Sequence, residues 1–507
     1  MPDTIIGFNL AARLPNLGLV SIAANGNPEE SDIKVLDLVL CRHALMRSVK
    51  KALDKSHPEI VGISCMIFQY KTARKIAKWI KEVYDPNITI VFGGYYPTVC
   101  YHEFGPNYDG NYDINSNNAC PWCDFVIRGE GEITFREFIH EWRNEKNYKQ
   151  VLGLSWKDNE GLYHHNERRP NLDLSQLKPP DRSTRLITNG FHNAGLPGDV
   201  VETSRGCTNT CRFCSIASMY GRSLRLYSLD RVIKDIKECK KRGKKSILFI
   251  DDNITLRPER FENLCDMIIE EKLNMSFHVQ ASANGLLSRP NLIPKMGKAG
   301  FRIVFFGIEN INKKDLKFFQ KSIPLKKLKT LVKRLHKHGM LSFGGFILGN
   351  PEDNLANFEQ NLQFAKMLDL DIPAWQIITP FPRTETREDL LKASLITNKY
   401  DYSKYTGIYA NVKTKYLSPE KMNKELIRLY VRYYTPMWFI KRLFQARLWH
   451  FLPYALHVGW KNKHYILPAW HKLWSRRKAK EYQRKTEDNI IDEFNEIRNK
   501  REKLVNV

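Results

Sequence analysis

Three cysteines fall within the stretch RGCTNTCRFC: Cys207, Cys211 and Cys214. A structural zinc site takes four ligands, commonly as two C-x-x-C pairs. Here one C-x-x-C pair overlaps a third cysteine, no fourth cysteine or histidine lies nearby, and the next cysteine is Cys239. Three thiolates suit an iron–sulfur cube in which the protein holds three irons and the fourth stays open to another ligand. The alternative is a chance cluster of buried thiols. Against it stand Arg205 and Gly206 before the motif, Phe213 just ahead of the third cysteine, and the small residues of SIAS after it.

A second group of metal-ligand types lies upstream. Cys100 and His102 form C-x-H, and Cys120 and Cys123 form C-x-x-C in ACPWC, with the loop-like GPNYDGNYDINSNN between them. This reads as a possible zinc clip closing the loop. Unrelated loop thiols are the bland reading. A redox pair is the third, although the strand-then-helix setting of such pairs is missing.

These residues need elements to position them. After the three-cysteine motif come apolar runs with polar ends: SILFIDDN (246–253), MSFHVQASAN (275–284), FRIVFFGIEN (301–310), LSFGGFILGNPEDN (341–354) and WQIITPFPRT (375–384). Between them RVIKDIKECKKRG and LKKLKTLVKRLHKHG carry apolar residues at helical spacing and end in glycine. Strands alternating with helices predict a parallel α/β sheet, whose ligands sit at the C-terminal strand ends. The polar residues there are Asp251, Asp252, Gln280, Ser282, Glu309 and Glu352. Asp251 and Asp252 could equally cap the helix that follows.

The first 145 residues read the same way. Strands are expected at 32–40, 59–67, 88–96 and 124–132, and helices at 73–84 and 134–142. Ends in GIS, GGYYPT and RGEGE make a glycine-rich crevice, as in a doubly wound sheet that holds a large polar ligand. Residues 146–195 read as a linker, with a hairpin turning at DNEG and a proline-fixed stretch, LKPPDRST.

The motif C-x-x-x-C-x-x-C at Cys207, Cys211 and Cys214 resembles that of the radical S-adenosylmethionine (SAM) enzymes. The resemblance implies a [4Fe–4S] cluster whose open iron is chelated by SAM, and cleavage of SAM to methionine and a 5′-deoxyadenosyl radical. An external electron donor such as flavodoxin or ferredoxin is implied. So is a partial barrel over 196–400. GIEN resembles the family's GIE strand end at Glu309, and GFILGNPE its G-x-I-x-G-x-x-E pattern at Gly345, Ile347, Gly349 and Glu352. Phe213, Asp251, Gln280, Ser282, Glu309, Gly345, Gly349 and Glu352 are the expected SAM contacts.

The segments LPNLGLVSIAA, VGIS, VFGGYYPT and VIRGEGEITF are similar to the N-terminal domain of the cobalamin-binding subclass, and the combined likeness spans most of 10–430. It implies a cobalamin site at Ser64, Gly93, Gly94, Tyr95, Gly129, Glu130, Gly131 and Glu132. The chain departs from classical cobalamin domains in having no D-x-H-x-x-G, so that loop offers the cobalt no histidine. Two outcomes fit this subclass: C-methylation of an unactivated carbon, which is the main expectation, and oxidation or cyclisation of a lipid or tetrapyrrole. No residue for proton transfer can be named.

Composition bounds the rest. The chain has 507 residues, enough for two or three domains, and 42% hydrophobic content. Ten irregularly spaced cysteines, and an opening MPDTIIGFNL without a basic stretch, point to a reducing cytosol. No run of about 18 apolar residues predicts a spanning helix. The net charge of +25 points to an anionic partner. Within 401–507, a helical region, residues 435–480 have no Asp or Glu, ten Lys or Arg, and five of the ten tryptophans. Such a segment suits an anionic membrane surface on the inner face of the cell membrane, beside a lipophilic substrate. Packing over the open side of the barrel is the bland reading. RNA modification gains from the charge, but nucleic acid is disfavoured because the terminus is aromatic and helix-like. A non-catalytic cobalamin or metal sensor would not need the three cysteines.

Overall fold

A computed structural model of the chain describes residues 12–41, 44–105, 120–443 and 445. Two sheets dominate it. In the N-terminal one, β1 (Ile60–Ser64), β2 (Thr89–Gly93) and β3 (Phe125–Ile127) are parallel. Helices α1 (Leu17–Asn25), α2 (Leu45–Ser56), α3 (Tyr70–Trp79), α4 (Tyr95–Val99) and α5 (Gly131–Arg143) accompany them. The hairpin β4 (Leu154–Lys157) and β5 (Tyr163–His165) turns at Asp158–Gly161 as expected, but it is no free linker. Strand β4 pairs antiparallel with β3 and extends this sheet.

The second sheet holds six parallel strands in sequential order: β6 (Leu196–Val201), β7 (Ser246–Phe249), β8 (Ser276–Ala281), β9 (Phe301–Glu309), β10 (Leu341–Leu348) and β11 (Ile372–Ile377). Helices α7 (Leu229–Lys241), α8 (Pro258–Glu270), α9 (Leu292–Ala299), α10 (Leu325–Lys337) and α11 (Leu355–Leu368) connect them; the short α6 (Ile216–Tyr220) follows the cysteine loop. Local chemistry starts several of these helices. Ser228 accepts the Arg231 N–H at the head of α7, and Asn354 and Asn357 form a reciprocal cap on α11.

The strand faces divide cleanly. On β9, Val304, Phe306 and Ile308 are fully buried against the helices, while Ile303, Phe305 and Gly307 on the other face are only half-buried. Phe249, Phe277 and Phe301 stack within the helix-side core, with ring centroids 5.4–5.9 Å apart. Truncating such a ring to alanine typically costs about 3–5 kcal/mol. Two more helices, α12 (Pro419–Tyr433) and α13 (Pro436–Leu443), follow, and Tyr430 and Tyr433 of α12 pack on Trp375.

Two expectations about elements need correction. DIKVLDLVL makes no strand: Val35 forms one bridge with Arg185, and Leu38–Leu40 is a turn of 3₁₀ helix capped by Asp37, whose carboxylate accepts the Val39 N–H. Strand β6 was not expected, because its sequence, LPGDVV, carries proline, glycine and aspartate. Arg185 neutralises Asp199 at 2.6 Å inside the fold. Most of segment 435–480 lies outside the described residues.

Candidate active site

The three cysteines occupy the loop between β6 and α6, at the C-terminal end of the parallel strands, and all three are half-buried. Burial pushes the Cys214 thiol up to about 11, so iron uptake must displace protons. Two carboxylates at the end of β7 hold the loop's root. Asp251 accepts the Thr203 N–H at 3.0 Å, the Thr203 hydroxyl at 2.6 Å and the Ser204 hydroxyl at 2.5 Å. Asp252 accepts the Gly206 N–H at 3.1 Å. Asp251 is therefore occupied in positioning the loop and is not a free SAM contact; the expected helix-capping role goes instead to Asn253, which caps the turn at Ile254–Leu256.

Glu309 ends β9 in a left-handed conformation, φ 60°, that a glutamate rarely adopts. A Cβ on Gly307 would lie 2.1 Å from its carboxylate oxygen, so only glycine lets the side chain fold back over the strand. The Lys321 ammonium lies 3.1 Å from that carboxylate and also against the Cys211 thiol. The expected SAM residue and the cysteine loop are thereby brought together. Lys321 itself, in the unpatterned stretch QKSIP, gave no signal in the sequence.

Other expected SAM residues are placed unevenly. Gln280 is exposed on the inner face of β8. Ser282 caps a short turn of helix by accepting the Gly285 N–H. Phe213 packs edge-on against Phe319, centroids 5.1 Å apart. Gly345 makes room for Phe305, whose ring a Cβ would meet at 2.8 Å. The Glu352 side chain is 67% exposed and faces Lys415. The neighbouring Asp353, buried, accepts the Gly349 and Asn350 N–H groups and shapes that turn instead.

In the N-terminal domain, Ser64, Gly93 and Gly94 lie together at the C-terminal ends of β1 and β2. Gly94 has φ 93°, and a Cβ there would sit 2.8 Å from the Ser64 hydroxyl. Such bare backbone at parallel strand ends suits a large ligand approaching closely. Tyr95 is buried beside Ser215, and α4 packs on α6, which follows the cysteine loop. Gly129 has φ 78° and donates its N–H to Thr98.

Glu130 and Glu132 carry ion pairs that the sequence did not announce. Glu130 holds Arg205 at 2.9 Å and Arg225 at 2.7 Å; Glu132 holds Arg205 at 2.7 Å and accepts the Ser21 hydroxyl. They join the two domains, and their carboxylates are engaged there. Gly131 serves packing, since a Cβ would meet Ile22 at 2.9 Å.

The zinc clip is also a correction. Among the described residues no three Cys, His, Asp or Glu converge as ligands of one ion would. The Cys123 thiol donates to the Phe125 carbonyl, the His102 ring stacks on Tyr101, and burial pushes the Cys120 thiol up to about 12. The three loop cysteines do not need such convergence, because each would bind a different iron of a cube.

A parallel partial barrel with three thiols at its strand ends, abutting a doubly wound domain, defines a radical-generating iron–sulfur enzyme with a corrinoid-type N-terminal domain. Residues 201–365 match the Radical SAM superfamily, and residues 4–139 match the B12 binding domain. An uncharacterized methyltransferase of Pyrococcus horikoshii is 32% identical over 436 residues, 85% of this chain and 90% of the relative. The bacteriochlorophyllide d C-12(1)-methyltransferase of Chlorobaculum tepidum is 26% identical, covering 77% and 78%. The anaerobic magnesium-protoporphyrin IX monomethyl ester cyclase of Rubrivivax gelatinosus is 22% identical, covering 74% and 65%. Among solved structures, the cobalamin-dependent SAM radical enzyme OxsB superposes with TM-score 0.64 at 17% identity, over 84% of this chain and 65% of that one. TsrM of Kitasatospora setae, a radical SAM methyltransferase, gives 0.62 at 14% identity, over 76% and 77%. The chain belongs to the cobalamin-dependent radical SAM enzymes.

Proposed function

We propose that this enzyme methylates an unactivated carbon of a lipophilic substrate held between its two domains. The observation that carries the reading is the packing of α4, which follows the Gly93–Gly94 strand end, against α6, which follows the cluster loop: the two expected cofactor sites are neighbours. The residues fit the groups. Cys207, Cys211 and Cys214 would hold a [4Fe–4S] cluster, Glu309 would face SAM, and the strand ends at Ser64, Gly93 and Gly94 would take cobalamin. Together these cofactors supply a carbon radical and a transferable methyl group.

The protein's own residues supply orientation and exclusion of water. The inner barrel face is lined by Phe305, Phe343 and Ile347, with the Phe305 and Phe343 ring centroids 5.0 Å apart, and by Gln280 and Gln376. An apolar wall with few polar groups suits a large hydrophobic substrate. Among the relatives, bacteriochlorophyllide d is such a molecule; the magnesium-protoporphyrin cyclase keeps oxidative ring closure as a second reading.

Membrane docking supports access to such a substrate. No helix among the described residues is long and apolar enough to cross a membrane. Ile427 and Val431 on α12 and Met437 and Ile440 on α13 are nonetheless exposed, interleaved with Lys424, Arg428 and Lys441, where the chain enters the basic, tryptophan-rich stretch. Apolar side chains flanked by basic ones suit an anionic lipid surface.

The test is anaerobic reconstitution followed by mass spectrometry. Wild type should form 5′-deoxyadenosine, take up hydroxocobalamin, and add 14 Da to a component of a lipid extract (the mass of CH₂, about 14). Changing Cys207, Cys211 and Cys214 to alanine should remove the iron and the deoxyadenosine. Deoxyadenosine from the triple variant would overturn the assignment. Loss of two hydrogens without added carbon would favour the second reading.

A further inference from the structure

Where the two domains meet, a group of basic side chains surrounds one ring. The Arg128 and Arg383 guanidinium carbons lie 4.8 and 4.9 Å from the centre of Tyr101. His102 and His165 pack on the same ring at 3.8 and 4.7 Å, and on each other at 5.4 Å. Arg128 follows β3 directly and Arg383 lies in the loop after β11, so both stand at the C-terminal edges of parallel strands, where such folds hold ligands.

Neither Arg128 nor Arg383 is paired with a carboxylate among the described residues. The nearest acid in sequence, Glu103, accepts the hydroxyls of Tyr96 at 3.0 Å and Tyr402 at 2.8 Å. Arg128 is only 8% exposed; its Nη2 donates to the Leu154 and Asn166 carbonyls, while its Nε finds no partner. Both ring nitrogens of His165 and Nδ1 of His102 are likewise buried without one. Buried polar groups are nearly always satisfied, so these orphaned nitrogens call for a partner. Burial, and to a lesser degree the neighbouring Arg128, hold His165 down to about 4. Arg383 also sits in a left-handed conformation, φ 61°, its carbonyl fixed by the Ser218 hydroxyl at 3.0 Å. Such strain in a non-glycine residue is characteristic of ligand clamps.

We propose that Arg128, Arg383, His102 and His165, set around Tyr101, bind an anionic group, a carboxylate or a phosphate, of the molecule held between the domains. The inference deepens the function proposed above and rests on it for the identity of that molecule. Two sources have this chemistry: the phosphodiester of a corrinoid's nucleotide tail, and an acidic group on an otherwise lipophilic substrate.

The test uses the full-length, cluster-reconstituted protein. Inorganic phosphate is titrated by calorimetry against chloride at matched ionic strength. Wild type should bind phosphate, and Arg383→Gln, on an exposed side chain whose loss should not disturb folding, should weaken binding by about tenfold or more, as loss of a charge-assisted contact does. Arg128→Gln with Arg383→Gln should abolish it. No phosphate binding by wild type, or equal binding by Arg383→Gln, would overturn the proposal. Cobalamin and cobinamide, which lacks the nucleotide and its phosphate, then separate the sources. A preference for cobalamin that Arg383→Gln erases assigns the site to the cofactor. Equal binding of both corrinoids, with phosphate still bound by the loaded protein, assigns it to the substrate. If neither corrinoid binds, the cobalamin reading fails while the phosphate titration still decides the anion site.

Discussion

Arg205 and Glu132 meet at 2.7 Å across the domain boundary, both inside the protein, and Arg205 stands two residues before the first cluster cysteine. Glu130 and Glu202 complete the grip on the same guanidinium, each at 2.9 Å. One arginine thus fixes the root of the cysteine loop to the start of α5. Removing one partner of a buried ion pair leaves the others uncompensated, at a cost of about 3–5 kcal/mol. Arg205→Met should lower the urea midpoint accordingly, and should release cobalamin and iron together. A variant that melts like wild type would show the clamp to be idle.

The clamp has one acid too many. Glu130, Glu132 and Glu202 face Arg205 and Arg225, and burial pushes Glu202 up from 4.5 to about 7. A carboxyl group whose pKa is raised on folding binds its proton more tightly in the folded state. Its stabilisation is present below the unfolded value and is lost as pH rises through the folded one. Wild type should therefore lose stability between about pH 4.5 and 7 from this group, and Glu202→Gln should flatten that slope. Thermal melts across the interval decide it; a variant with an unchanged slope would remove Glu202 as the cause.

Gly307→Ala should cost SAM affinity without unfolding the barrel. The new Cβ would occupy the place of the Glu309 carboxylate, which must swing away from Lys321 and the cysteine loop. Equilibrium dialysis should show about tenfold weaker SAM binding or worse, since a charge-assisted contact is lost. Unchanged affinity would place SAM elsewhere.

Gly94→Ala should impair cobalamin uptake while leaving the cluster intact. It combines a positive φ with a 2.8 Å approach to the Ser64 hydroxyl. Visible spectra of bound corrinoid and iron analysis, run in parallel, separate the two effects. Equal loss of iron would mean that the whole domain had been disturbed.

The exposed side chains of α12 and α13 make a vesicle test direct. Ile427→Asp with Val431→Asp should weaken sedimentation with anionic vesicles at low salt, and wild-type binding should fall as salt screens the basic residues. Indifference of the wild type to anionic vesicles would end the membrane reading.

The cluster loop was legible because its signal is local: three ligands close in sequence need no knowledge of the fold. The barrel strands β7 to β11 were legible as apolar runs with polar ends. The roles of Glu130 and Glu132 were not. RGEGE marks a strand end, but nothing in it announces that Arg205 and Arg225, far along the chain, will come to claim its carboxylates. Glu352 fitted a pattern while the adjacent Asp353 shapes the turn, because register at a loop depends on which side chain reaches the backbone N–H groups. Strand β6 was hidden by Asp199, which looks unfit for a core until Arg182 and Arg185 neutralise it.

The opening residues of the chain are built into structure that arrives much later. Ala12 pairs with Asn193, Val35 bridges to Arg185, and Asn25 accepts the Lys178 N–H. Val20 of α1 packs with Val200 of the barrel's first strand. On the ribosome, Ile22 can meet Gly131 once α5 is made, but Val20 must wait until residues near 200 emerge. Contacts so distant in sequence slow folding and prolong exposure. The cobalamin-type domain expressed alone should therefore be prone to aggregate, whereas a fragment extended through β6 retains the partners of its first helix.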